Sequence, residues 1–210
     1  MTTKQFKLLD LFSGAGGAAK GYQQAGFHVT GIDNRPMPRY AGDVFIQADA
    51  LEYAAEHGHE FDAIHASPPC QGYSRTKMLH SNSYPDLIGR TRKLLSVTNL
   101  PYVIENVPGA PLINPVTLVG TLFGLMTKRE RLFECSFPVD FVLAPPIGKQ
   151  TVMGRPPKPG EYIPVVGHVS NVAACRAAMG IDWMTRDELS ESIPPAYTNF
   201  IGACLLKVLA

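Results

Sequence analysis

No stretch of this 210-residue chain approaches the ~20 consecutive apolar residues that a bilayer-spanning helix needs, so no membrane association is expected. Cysteine is scarce. The four present (Cys70, Cys135, Cys175 and Cys204) are widely spaced, without a Cys-x-x-Cys pair or a Cys/His cluster, which argues against a zinc site and a disulfide framework; no metal is expected. Neither sign of charge is in excess: the formal net charge of +1 sets aside a generally basic nucleic-acid coat, although a local basic patch survives that sum. The first residues, Met1-Thr2-Thr3-Lys4-Gln5, lack a signal-peptide pattern, and a cytoplasmic location is expected. There is no internal repeat and no complete Gly-x-Gly-x-x-Gly, which weakens a nicotinamide-dinucleotide reading. With 45% hydrophobic and 18% charged residues, the chain has the balance of a globular protein and room for one domain with at most a small appendage.

What is present is alternation. Strand-like runs are expected at Phe6–Leu11, His28–Ile32, Phe45–Gln47, Phe61–Ala66, Tyr102–Glu105 and Arg131–Phe137. Helical patterns fall between them, over Ala15–Ala25, Ala50–His57, Leu87–Thr98 and near Val116–Phe123. This order predicts an α/β fold with a mostly parallel central sheet covered by helices on both faces. From Pro138 to Pro164 the chain concentrates seven of its 18 prolines, which rules out a central strand or a long helix there. Lys149, Arg155 and Lys158 stand beside Gly148, Gly154 and Gly160, so an irregular, mildly basic excursion is expected, either a connector or a recognition element. The tail returns to helical pattern over Val172–Met179, Arg186–Glu191 and Pro195–Leu209, with Thr185 as an N-cap. Three parts follow: a core over 1–137, a Pro/Gly-rich segment over 138–170, and C-terminal helices over 171–210 that pack back on the core.

The residues with chemistry sit at the ends of the expected strands. Ser67-Pro68-Pro69-Cys70-Gln71-Gly72-Tyr73-Ser74 follows the run Phe61 to Ala66, so Cys70 is delivered at a strand's carboxyl end, where open α/β sheets place their sites. Two consecutive prolines hold that chain extended. Leu8-Leu9-Asp10-Leu11 leads into Phe12-Ser13-Gly14-Ala15-Gly16-Gly17, a turn whose glycines admit close backbone approach. Pro101 to Ile104 ends in Glu105, and Arg129 and Arg131 alternate, so that on a strand both project to one face; a salt bridge from them to Glu130 or Glu134 is the structural alternative. Between Gln71 and Lys93, Arg75, Lys77, Arg90, Arg92 and Lys93 face a single acid, Asp86, which suits either a solvated loop or a phosphate-contacting one.

In this order the motifs resemble the DNA (cytosine-5)-methyltransferase family. The likeness lies in Asp10 to Gly17, Pro68 to Ser74, Glu105-Asn106-Val107 and Arg129-Glu130-Arg131, and it fades beyond Glu134. Two positions depart from the family pattern: Thr127 stands where the family has Gln, and Ala203 where a final Gly-Asn pair has Asn. The resemblance implies a Rossmann-like, S-adenosylmethionine-dependent methyltransferase fold carrying a reduced recognition segment. It implies transfer of a methyl group to carbon 5 of a cytosine flipped out of double-stranded DNA. Cys70 would be the nucleophile, Glu105 the acid at ring nitrogen 3, and Arg131 the contact to oxygen 2, with Arg129 beside it. S-adenosylmethionine would lie against Phe12, Gly14, Ala15, Gly17 and Pro69, with Asp33 and Asn34 toward the ribose and Asp49 and Ala50 toward adenine. Asp49 has a second reading as the cap of the helix that follows it. Gln71, Ser74, Arg75 and Lys77 would hold the DNA backbone. A monomer in a bacterial cell or phage-infected host is expected. An RNA substrate, or a DNA-binding relative without turnover, stays open on the same residues.

Overall fold

The computed structural model describes residues 4–69, 87–140, 148–151, 157–158, 160–165, 169 and 171–210. Its centre is strand β1 (Lys7–Leu11), whose Leu8, Leu9, Asp10 and Leu11 are all fully buried, as a parallel strand covered on both faces requires. On one side of it run β2 (His28–Asp33) and β3 (Val44–Gln47); on the other run β4 (Ala63–Ala66) and β5 (Tyr102–Asn106), all parallel. β7 (Arg131–Cys135) joins β5 antiparallel, and β6 (Val116–Leu118) joins β7, giving the sheet order β3-β2-β1-β4-β5-β7-β6.

Helices close both faces. α1 (Gly17–Ala25) and α6 (Pro195–Leu209) cover one, packing Tyr22, Tyr197 and Ile201 on Leu8, Val29, Ala63 and Val103. The two helices lie close because Gly21 has no side chain: a Cβ there would run into the Pro195 carbonyl and the Thr198 hydroxyl. α2 (Ala50–His57) and α3 (Leu87–Ser96) cover the other face over Leu9, Leu11, Ile32, Ile64 and Ile104.

The remaining chain forms a third apolar cluster. Ile163, Val165 and Val169 pack with Cys175 and Met179 of α4 (Val172–Met179), Met184, and Leu189 of α5 (Arg186–Glu191), and the cluster reaches the core through Ala15. Thr185 caps α5 in a capping box with Glu188, as its sequence predicts. Within the proline-rich stretch the described residues form a two-residue parallel ladder, β8 (Lys149–Gln150) with β9 (Glu161–Tyr162).

Two expectations change. The segment near Val116–Phe123 is not one helix: Val116 to Leu118 pair with β7, and only Gly120 to Phe123 turn, as a 3-10 helix between Gly120 and Gly124. Two branched residues and a neighbouring strand offering hydrogen bonds outweigh local helical pattern. The alternation of Arg129 and Arg131 also fails as an argument, because Arg129 precedes β7 and has φ 33°, outside strand geometry.

Candidate active site

Parallel strands end on one edge, so the residues after β1, β2, β3, β4 and β5 come together there; β7, running the other way, contributes its first residue, Arg131, to the same edge. On one side of this edge, Glu105 is buried on β5 with Arg131 Nε 3.2 Å from its carboxylate. Burial pushes the Glu105 carboxyl above the usual range, against the opposing pull of Arg131, a hydrogen bond from Ser67, and Arg129. Arg131 Nη1 is fixed by the Glu130 carbonyl at 2.8 Å.

Asn106, the next residue, donates from Nδ2 to the Pro68 carbonyl at 2.8 Å, and its Oδ1 accepts the Val107 amide at 2.9 Å. The end of β5 thus holds the Ser67-Pro68-Pro69 turn that leads to Cys70. Cys70, Gln71, Ser74, Arg75 and Lys77 themselves lie outside the described residues.

Arg129 behaves differently from Arg131. It is buried, and its guanidinium donates to three carbonyls: Val165 at 2.6 Å, Ser190 at 2.6 Å, and Ser192 at 3.0 Å from Nε and 2.5 Å from Nη2. It ties the C-terminal segment to the start of β7. The salt-bridge alternative for the arginine pair does not hold, since Glu134 pairs bidentately with Arg92 at 2.7 and 2.8 Å, and Glu130 with Lys128 at 2.8 Å. Arg92 is thereby removed from the group of cations assigned to phosphate: it lies on α3, bound to Glu134 and to the Pro111 carbonyl.

At the other end of the edge, the loop after β1 turns on left-handed residues, with φ 58° at Phe12, 49° at Gly14 and 81° at Gly16. At Gly16 a side chain is also excluded by packing, as its Cβ would fall 2.7 Å from the Ala41 amide. Gly14, in contrast, faces space, with no atom within 4 Å of where a Cβ would stand. Its amide donates to Asp33 Oδ2 at 3.0 Å, and Asp33 Oδ1 accepts the Arg35 amide at 3.0 Å, so the acid that ends β2 is held beside the turn. Asn34 is exposed, and its carbonyl accepts Gln47 Nε2. Asp49 caps α2, its Oδ1 accepting the amides of Leu51 and Glu52 at 2.9 and 3.0 Å; this leaves the adenine reading compatible. Ala50 and Gly17 are buried at the starts of α2 and α1, Pro69 is exposed, and the Ala15 carbonyl accepts Trp183 Nε1 at 2.9 Å.

An open glycine turn, a buried acid fixed beside it and the unpartnered buried Ser13 hydroxyl fit an amino-acid-bearing nucleoside, the shape of S-adenosylmethionine. Ala203, at the position of the family's Asn, is exposed on α6, while Gly202 before it packs on Ala25 and Tyr22. Thr127 is fully buried, with no partner for its hydroxyl.

Sequence reasoning passed over three participants. Asn106 was visible within Glu-Asn-Val. His65 was visible as the one polar residue inside an apolar strand, and it is fully buried. Asp10, also fully buried, has no hydrogen-bond partner on either oxygen beyond a weak approach by the Ala19 amide; desolvation, with Asp33 and Glu105 nearby, drives its carboxyl well above the usual range. Among the described residues no group of three or more His, Cys, Asp or Glu could hold a metal ion, and no helix is long and apolar enough to cross a membrane. Cys135, Cys175 and Cys204 are free thiols, the last two buried.

This sheet order, with a glycine turn after its first strand, is that of a Rossmann-like S-adenosylmethionine-dependent methyltransferase. The crystal structure of the Dnmt2 methyltransferase of S. pombe matches it with a TM-score of 0.60 over 98% of this chain and 99% of that one, at 14% identity, a likeness of fold alone. Sequence narrows the class: the model of the C-5 cytosine-specific DNA methylases matches residues 6–110, half of the chain, and the chain belongs to that family. The type II methyltransferase M.NlaX of Neisseria lactamica is 26% identical over 193 residues, covering 71% of this chain. The chain spans 58% of that relative's length. Family membership implies S-adenosylmethionine as the methyl donor.

Proposed function

We propose that this chain methylates carbon 5 of cytosine in DNA through a covalent adduct with Cys70. The observation that carries the reading is the buried Glu105–Arg131 pair next to the Asn106-held turn from which Cys70 follows. Carbon 5 is a poor nucleophile within an aromatic ring. Attack of the Cys70 thiolate on carbon 6 forms a carbon–sulfur bond and moves the ring's π electrons toward nitrogen 3, where Glu105 delivers a proton. Its raised pKa keeps that proton available in the pocket. Arg131 steadies the carbonyl oxygen 2 as charge gathers there. Phe12, Gly14, Asp33 and Asp49 would hold S-adenosylmethionine, which would supply an electrophilic methyl group for carbon 5 and leave as the thioether S-adenosylhomocysteine. Loss of the carbon 5 proton, expulsion of the thiolate and return of the nitrogen 3 proton to Glu105 then restore the aromatic ring.

Since the thiol cannot reach a stacked base, the cytosine must leave the duplex, and Gln71, Ser74, Arg75 and Lys77, which follow Cys70 in sequence, hold the backbone around it. Arg129 acts as a positioning residue, bonded to the C-terminal segment's carbonyls. Residues 138–170 form the reduced recognition segment, and 171–210 complete the core. The likeness to a type II methyltransferase supports a role of the restriction–modification kind, in the cytoplasm.

The test is incubation with tritiated S-adenosylmethionine and either duplex DNA or RNA, followed by identification of the labelled base. Label in DNA as 5-methylcytosine, absent with Cys70→Ser, is the expected result. Label in RNA alone transfers the activity to RNA, and donor and DNA binding with no label on either polymer leaves a binding protein.

A further inference from the structure

Behind Glu105 runs a line of buried polar groups that the proposed chemistry has not used. The Tyr22 hydroxyl lies 3.0 Å from His65 Nδ1, and His65 Nε2 lies 2.9 Å from Ser67 Oγ; with Ala66 paired to Ile104, Ser67 stands level with Glu105 at the end of β4 and lowers its pKa as a donor. Tyr22 and His65 are fully buried, on α1 and β4. Burial pushes His65 down to about 3, so its ring is neutral and offers one donor and one acceptor.

The network selects the tautomer. If Nδ1 accepts from Tyr22, then Nε2 carries the hydrogen and donates to Ser67, whose single proton is directed at Glu105. The opposite tautomer turns the Ser67 proton toward His65 and leaves the buried Tyr22 proton without this acceptor, a loss that buried donors rarely sustain.

We propose that Tyr22, His65 and Ser67 form a one-directional donor relay that governs how readily Glu105 yields its proton to the substrate ring. The inference rests on Glu105 being the acid of the reaction. A carboxylate appearing in a desolvated pocket is costly, and a donor already aligned with it lowers that cost at the moment the proton leaves, without reorganisation. The other groups facing Glu105 are Arg131 and Arg129 beside β7, which favour the ionised form, and Asp10 on β1, an acid that burial and Glu105 itself push toward its protonated form. The hydroxyls of Tyr22 on α1 and Tyr197 on α6 also face it and stay protonated. These charges are fixed or neutral; the relay is the part that follows the proton. Tyr22, His65 and Ser67 are positioning residues, since they act through Glu105.

The experiment uses the full-length chain and two readouts. Carbon-13 NMR of the glutamate carboxyls, with Glu105 assigned through Glu105→Gln, gives its titration without substrate or turnover. The pH profile of single-turnover methylation gives its role. Ser67→Ala is expected to move the Glu105 titration, and with it the alkaline limb of the rate profile, upward by about one pH unit, and to slow methylation about tenfold. Ser67→Thr restores both. Tyr22→Phe, which removes one oxygen and keeps the ring, gives a smaller shift in the same direction and serves if Ser67→Ala does not fold. An unmoved titration in a folded Ser67→Ala or Tyr22→Phe protein overturns the relay. A moved titration together with full methylation by Glu105→Gln upholds the relay and overturns Glu105 as the acid.

Discussion

Two ends of one sheet edge bury carboxyl groups in opposite ways. At the end where the base chemistry is proposed, Glu105 has Arg131 at 3.2 Å, Arg129 nearby and a hydroxyl donor in Ser67. On the same face, Asp10 of β1 is fully buried with no cation against it and no partner beyond the weak approach of the Ala19 amide. Burial raises both groups, but only one is surrounded by devices that stabilise its charged form. Glu105 therefore has partners for its charged form, while burial favours the neutral form of Asp10. Equal burial does not make equal chemistry; the partners decide.

The largest effect that separates the two ends is expected from Glu105→Gln. Methylation should fall by about 10²- to 10⁴-fold, with donor binding by calorimetry unchanged. Equal loss of donor binding would merge the two ends into one site. Next comes Arg129→Ala, which deprives the Val165, Ser190 and Ser192 carbonyls of a charged donor and should cost about 3 kcal/mol in denaturant unfolding. A loss of turnover at unaltered stability would instead place Arg129 at the substrate.

Asp33→Ala is the mirror of the glutamate change. It should weaken donor binding about tenfold and leave the rate at saturating donor nearly intact, a split between KM and kcat that a substrate-side residue would not give.

The smallest effect is on stability and concerns Asp10. Its folded pKa lies above the unfolded value of about 3.9, so its contribution is complete below about pH 4 and is lost as pH rises through the folded value. Asp10→Asn removes that dependence. Its stability relative to the parent should therefore improve with rising pH, by at most about 1.4 kcal/mol when melting is compared at pH 5 and pH 6. A pH-independent difference would mean that Asp10 is charged and partnered after all.

Much of this was legible in the chain. Strands β1 to β5 announce themselves by short apolar runs punctuated by Gly, Pro and Asp, and three of the four motifs fall at their ends because parallel strands all finish on one edge; the arginine motif reaches the same edge at the start of antiparallel β7. β6 was not legible, since three residues carry no periodicity and Val116 to Leu118 become a strand only when β7 lies beside them. Arg129 misled for a related reason. Its spacing from Arg131 is local, whereas the carbonyls that hold it come from 36 to 63 residues later in the chain. Arg92 reads as one of a basic run until Glu134, 42 residues away, closes on it. Side-chain identity showed which groups were present; long-range packing assigned their partners.

The chain has one tryptophan, and Trp183 holds the Ala15 carbonyl of the cofactor loop through its indole N–H. The protein's ultraviolet emission at long wavelength therefore originates at a single point, hydrogen-bonded to the turn where donor binding is proposed. Seating of the donor becomes an optical event, followed in a stopped-flow cuvette without a label, at a place separate from the base chemistry.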